Sequence, residues 1–201
     1  MKKILLLVIS LLICAGASSQ SAIPVFRPGE VVALVGDSIT HGGHYHSYIW
    51  LYYMTRFPDM PVTLINCGVG GDVAGNILER WDQDVAVRNP SYVTLTFGMN
   101  DTGYWGTYNV EKSDSLSAAK VAESLADYAK IVEKIEAMQA SGAKVVMIGG
   151  SPYDETTKFN DGALKGKNAA IQRIVAAQKA EAEKQGWGFV EFNQPMVDLA
   201  A

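Results

Sequence analysis

The chain has 201 residues, 48% of them hydrophobic and 19% charged, with a formal net charge of -4 and two cysteines. This excludes intrinsic disorder and a disulfide scaffold, and the acidic balance argues against nucleic acid as the main partner. The length fits one domain.

The chain opens with Met1, Lys2 and Lys3, an apolar run from Ile4 to Ile13, and the small residues Ala15, Gly16 and Ala17. A basic start, a short apolar stretch and an A-x-A site predict a signal peptide over residues 1–17, with residues 18–201 as the mature domain. A membrane span needs about 20 apolar residues, so no stable membrane insertion is expected after cleavage. Cys14 would suit a lipoprotein anchor, but the bulky Ile13 ranks that second. Cleavage removes Lys2 and Lys3, taking the charge from -4 to -6. The predicted location is periplasmic or extracellular. Cys67 is then left without an intrachain partner and is expected to be a buried, inert thiol.

Five apolar runs follow, at Val31–Val35, Val62–Asn66, Tyr92–Phe97, Lys144–Ile148 and Gly188–Phe192. Val and Ile enrichment and bounding turn residues predict strands. Near-continuous apolarity suits a parallel sheet covered on both faces. Between the runs, helical periodicity predicts helices over about Tyr45–Arg56, Ser115–Ala140 and Asn168–Lys184, with a last one from Gln194. The aromatics Tyr45, Tyr48, Trp50, Tyr52 and Tyr53 on the first helix are expected in the core, as are Trp81 and Trp187. Alternating strand and helix predict an α/β fold, a three-layer α/β/α sandwich. Sites in such folds lie at the carboxyl ends of the strands.

Three turns at that edge carry polar groups: Gly36-Asp37-Ser38, the cluster Asn66-Cys67-Gly68-Val69-Gly70-Gly71-Asp72, and Gly98-Met99-Asn100-Asp101. Gly68-Val69-Gly70 begins a dinucleotide fingerprint, but Val73 occupies its last position. Neither a Walker loop nor a G-x-S-x-G elbow is present. A serine at a strand-to-helix turn can act as a nucleophile once a base takes its proton. Its own N–H, a Gly71 N–H and the Asn100 side-chain amide would supply three donors for an oxyanion. That set predicts acyl transfer without a cofactor. Asp37 and Asp72 are read as loop-orienting groups that bond backbone N–H.

These three blocks, in order and each after a strand, resemble the SGNH (GDSL) hydrolase superfamily. The resemblance implies Ser38 as nucleophile, with Gly71 and Asn100 completing the oxyanion hole. It also implies a flavodoxin-like sandwich with a five-stranded parallel sheet of order 2-1-3-4-5. The family's fourth block, D-x-x-H, supplies the base and its orienting acid. The three histidines here, His41, His44 and His46, all follow Ser38, and the sequence given stops at Asp198-Leu199-Ala200-Ala201. The block is expected to come next in a longer chain. His41 is read first as a substrate contact or a solvated helix start, and as a substitute base only second. The H-x-x-H-x-H spacing has no cysteine to complete a zinc set, and no metal is expected. Tyr104 and Trp105, on the loop after the third strand, are candidate substrate contacts or, equally, residues that pack that loop down.

The expected activity is that of an exported serine esterase acting on a small-molecule or glycan ester, deacetylation of a glycan being one such reaction. The alternatives are a lipase or thioesterase of the same superfamily, and a non-catalytic glycan-binding protein on this fold.

Overall fold

The computed structural model describes residues 23–156 and 163–200. The predicted leader lies outside them. Five strands form one sheet: β1 (Val31–Gly36), β2 (Thr63–Gly68), β3 (Tyr92–Leu95), β4 (Lys144–Ile148) and β5 (Gly188–Val190). All pairings are parallel and the order is β2-β1-β3-β4-β5. This is the expected order, with β3 central and β1 between β2 and β3. Gly36 pairs with Gly68 on one side and Val35 with Leu95 on the other. The register therefore brings the turns after β1, β2 and β3 to the same edge.

Among the described residues, six α-helices connect or follow the strands: α1 (Ser38–His41), α2 (His44–Arg56), α3 (Ala74–Arg80), α4 (Ser113–Ala140), α5 (Lys167–Gln185) and α6 (Asn193–Ala200). The three long helices fall within two residues of their predicted bounds. The helix α3 and the π and 3-10 turns after it, Trp81–Val85 and Ala86–Arg88, had no counterpart in the sequence reading. The helix is seven residues long and carries Gly75 and Asn76 in its first turn, both weak helix formers.

Strand side chains alternate between two cores. Ala33, Val35, Val93, Leu95, Val145 and Met147 face one way, against Ile77 and Trp81 near α3, Ile131 and Ile135 of α4, and Ile171 and Ile174 of α5. Val32, Leu34, Tyr92, Val146 and Ile148 face the other way, with Phe26 among them and Tyr45, Ile49 and Tyr53 of α2 packed at the margin. Trp81, Trp187 and Cys67 are buried. Burial raises the Cys67 thiol pKa, and its sulfur donates to the Asp84 carbonyl.

The α2 aromatics need correction. Only positions i, i+4 and i+8, at Tyr45, Ile49 and Tyr53, pack on the sheet. Tyr48, Trp50 and Tyr52 are exposed, Tyr48 by 73%. A helix lying on one end of a sheet buries a narrow stripe, and aromatic content alone does not say which residues occupy it.

Trp81→Ala is expected to cost about 3–5 kcal/mol by opening a cavity in the larger core. Tyr48→Ser is expected to stay within about 0.5 kcal/mol of the parent. Urea unfolding of the two variants checks both values.

Candidate active site

The chain leaves β1 through Gly36 and enters α1 at Ser38. Asp37 caps that helix, its buried carboxylate accepting from the Ile39 amide at 2.9 Å. Burial pushes the Asp37 carboxyl pKa up; the Ile39 bond opposes this, and the charges of Asp101 and Asp72 add to the rise. Ser38 is exposed as the first helical residue, so the cap that fixes the turn leaves its hydroxyl at the surface. Thr40 anchors the same turn from below. Its hydroxyl shares a hydrogen bond with the Tyr45 hydroxyl at 3.1 Å, and its carbonyl lies 3.1 Å from His46 Nε2.

The second block lies against the first. A Cβ at Gly68 would fall 2.3 Å from the His41 amide nitrogen, so only glycine permits this approach. The turn then reverses at Gly71, whose φ of +87 favours glycine. Among the described residues, neither the Ser38 N–H nor the Gly71 N–H is bonded to a protein acceptor.

In the third block, Asn100 Nδ2 donates to the Asp72 carbonyl at 2.9 Å, and Asn100 Oδ1 accepts from the Tyr104 hydroxyl at 3.0 Å. One N–H of the amide is thus used and its oxygen is occupied, which leaves the second N–H. Asp101 turns inward. Its carboxylate accepts from the Ala74 amide, the Gly98 amide and the Ser124 hydroxyl at 2.7, 2.9 and 2.7 Å. Burial raises its pKa, while those three donors pull it down.

Arg80 joins the first two blocks. Its Nε donates to Asp72 at 2.7 Å and its Nη2 to the Gly36 carbonyl at 3.2 Å. The Asp72 carboxylate therefore orients its loop through an ion pair, not through the backbone N–H bond expected of it. Arg80 lies on α3, a helix too short and too poor in helix formers to show in the sequence.

The structure brings the Ser38, Gly71 and Asn100 segments to adjoining strand ends and leaves the histidines dispersed. His46 reaches back to Thr40, and the His41 ring lies beside Gly70, where a Cβ would be 3.7 Å from Nδ1. Tyr104 is bound to Asn100, and Trp105 is 68% exposed, stacked on Tyr104 with ring centroids 6.0 Å apart. Lys167 was also missed. It is fully buried, and a lysine at a helix start reads as solvated.

A cavity of about 250 Å³ lies beside this edge, lined in part by Val73, Gly75, Asn100, Asp101 and Gly103. A larger one, about 500 Å³, lies at the amino ends of β3 and β4, beside Pro90, Ser91 and Ala143, away from the polar turns. The smaller cavity reaches Asn100 and is closed by Lys120, Glu123, Ser124 and Asp127 of α4; Ser38 and Gly71 do not line it.

The profile of the GDSL-like Lipase/Acylhydrolase family matches residues 34–201. An acetylxylan esterase from Geobacillus stearothermophilus is 26% identical over 97 residues, covering 41% of this chain and 43% of that protein. Among solved structures, BT4096, a gut microbial diltiazem-metabolizing enzyme, is 40% identical with a TM-score of 0.83, over 90% of this chain and 40% of that one. The chain thus spans about two fifths of the length of these two relatives. A catalytic mutant of the acetylxylan esterase Axe2 from Geobacillus stearothermophilus shares the fold, with a TM-score of 0.70 at 18% identity, over 87% of this chain and 81% of that one.

Asp101→Ala is expected to destabilise the protein by about 3 kcal/mol, since it leaves two buried amides and a hydroxyl unpaired. Asp101→Asn, which keeps one acceptor, should cost less. Chemical denaturation of the two variants checks the order.

Proposed function

The chain belongs to the GDSL-like lipase/acylhydrolase family, and from that premise we propose that it is an exported serine esterase that removes acetyl groups from a glycan through an acyl-enzyme on Ser38. The observation that carries this reading is the exposed Ser38 at the start of α1, with the Gly71 amide and the Asn100 side-chain amide on the adjoining strand ends. A family of ester hydrolases supplies the reaction class. The acetylxylan esterase relative supports acetate and a sugar as the two halves of the ester.

In this reading Ser38 Oγ attacks the acetyl carbonyl carbon as its proton passes to a histidine base. The carbonyl oxygen becomes an oxyanion. It is held by the N–H groups of Ser38 and Gly71 and the second N–H of Asn100, dipoles fixed before the reaction starts. The carbon–oxygen bond to the sugar then breaks, and the sugar oxygen takes the proton from the imidazolium. Water next attacks the acetyl-serine, gives its proton to the same base, and acetate leaves as Ser38 recovers its hydrogen. The base is a histidine of the Asp-x-x-His type that the family carries after the fifth strand. His41 is the local alternative, three residues from Ser38. The exposed Trp105 ring offers a flat apolar face to a sugar.

The acetylxylan esterase relative favours a short acyl group over a lipid chain. Turnover of activated esters is expected to fall from acetate to butyrate to octanoate, and a rise along that series would turn the reading toward a lipase.

Ser38→Ala in the full chain is expected to abolish turnover of an activated acetate ester, and wild-type activity in that variant would defeat the nucleophile assignment. Asn100→Ala should lower kcat by about 10²–10³, the usual loss for one oxyanion donor. His41→Ala should leave kcat within a few-fold; a loss as large as that of Ser38→Ala would make His41 the base. Trp105→Ala should raise KM for an acetylated oligosaccharide and leave KM for the small ester unchanged. Unchanged glycan binding in Ser38→Ala, with no hydrolysis by the parent, is the result expected of a binding protein instead.

A further inference from the structure

The most unusual buried group outside the three turns is Lys167. It is fully buried, and among the described residues no carboxylate forms an ion pair with it. Its ammonium instead donates to three acceptors on the segment that carries Asn100: the Met99 carbonyl at 2.7 Å, the Thr102 hydroxyl at 3.0 Å and the Gly103 carbonyl at 2.5 Å. The Tyr104 ring centroid lies 3.8 Å from Nζ, and the Tyr108 and Tyr153 rings lie 5.7 Å away. The lysine is held firmly from its own side. Glu155 accepts from the amides of Gly166 and Asn168, which flank it.

We propose that Lys167 is a positioning residue for ester hydrolysis: it fixes the Tyr104 ring and the 99–103 turn, so that the Tyr104 hydroxyl locks the Asn100 amide with its free N–H toward the oxyanion. The inference rests on the reading of Asn100 as an oxyanion donor. The physical logic is one of amide orientation. Asn100 Nδ2 has one bond to Asp72, but a side-chain amide is fixed against a half-turn only when its oxygen is also engaged. Tyr104 provides that second contact, and a phenol on a surface loop is mobile unless its ring is held. A cation over the ring face, anchored by three backbone and hydroxyl acceptors, does that at short range.

The charge state matters as well. An ammonium has three N–H donors for three acceptors, whereas a neutral amine has two. Burial pulls the Lys167 pKa down to about 8, against the opposing pull of Asp101. The titratable groups that face it are Asp101 on the turn, Tyr104 and Tyr108 on the following loop, and Tyr153 and Glu155 on the segment before α5. Loss of the proton removes one bond and the cation–ring attraction together.

The test uses the full chain and an activated acetate ester, with kcat, KM and thermal midpoint read for Tyr104→Phe, Lys167→Met and the double variant. Tyr104→Phe removes one hydroxyl and should lower kcat about three- to tenfold, the worth of one hydrogen bond, with KM and the thermal midpoint little changed. Lys167→Met should lower kcat at least as far, and the double variant should be no slower than Lys167→Met alone. Multiplicative losses in the double variant would mean that the lysine does not act through Tyr104 and would overturn the proposal. Should Lys167→Met fail to fold, the pH profile decides. Parent kcat should fall above about pH 8, where the ammonium is lost, and that limb should be weaker in Tyr104→Phe; identical limbs overturn the proposal. Asn100→Ala separates the two readings. If it leaves kcat unchanged, the oxyanion assignment fails. If it lowers kcat while Tyr104→Phe does not, only the lysine proposal fails.

Discussion

Asp101 is 3% exposed, and its carboxylate is satisfied from three directions. One donor is the first amide of α3, one is the Gly98 amide in its own turn, and one is the Ser124 hydroxyl on α4. A buried carboxylate with fewer partners would destabilise the fold, so the three elements are held in one arrangement by a shared acceptor. Everything at the site edge depends on that arrangement. The α3 start fixes the end of the Gly68–Asp72 loop, Asn100 is the residue before Asp101, and the Asn100 amide in turn bonds the Asp72 carbonyl. Arg80 completes the tie by reaching from α3 to the Gly36 carbonyl beneath Ser38. The polar residues that hold this edge thus outnumber those that would do chemistry there.

The same arrangement sets the electrostatics. Asp37, Asp72 and Asp101 lie close enough for the latter two to raise the pKa of the first. Such a negative cluster disfavours an oxyanion formed nearby. Oriented N–H dipoles act at hydrogen-bond range, where they outweigh more distant charge, and Arg80 offsets Asp72 directly. Those carboxylates also disfavour retention of an anionic product. One cluster can therefore both stiffen the loops and, in the proposed reaction, promote departure of acetate.

The five strands and the three long helices were legible because each is written in an apolar pattern that burial enforces, whereas the strand order came only with the family resemblance. The Val31–Val35 run is apolar throughout, as a strand covered on both faces requires, and Ser113–Ala140 keeps its buried stripe from Ser117 to Ile135. The three polar turns were legible because they follow strands directly. What the sequence did not display are interactions between residues far apart in the chain. Arg80 sits 44 positions from Gly36, on a helix too short to show a period. Lys167 sits 64 to 68 positions from its acceptors, and its type alone predicts solvent. The α2 aromatics failed for the opposite reason. Their type predicts burial, but a helix on one end of a sheet has room for one stripe only, and Tyr48, Trp50 and Tyr52 fall outside it.

Arg80, Lys167 and the α2 aromatics differ from what their residue types predict for one reason, and it bears on function. Residue type reports what a side chain prefers in isolation, and a site edge is where that preference is overridden. Lys167 is buried because three acceptors and an aromatic ring replace water around it. Asp101 is buried because three donors do the same. Asp101 accepts from the Gly98 amide, and Lys167 donates to the Met99 and Gly103 carbonyls, so both ions are bonded to the backbone of the 98–103 turn. A donor such as Asn100 assists an oxyanion only to the extent that its orientation is fixed beforehand. The energetic cost of burying an ion on each side of the turn is therefore coupled to the rigidity that the proposed chemistry requires.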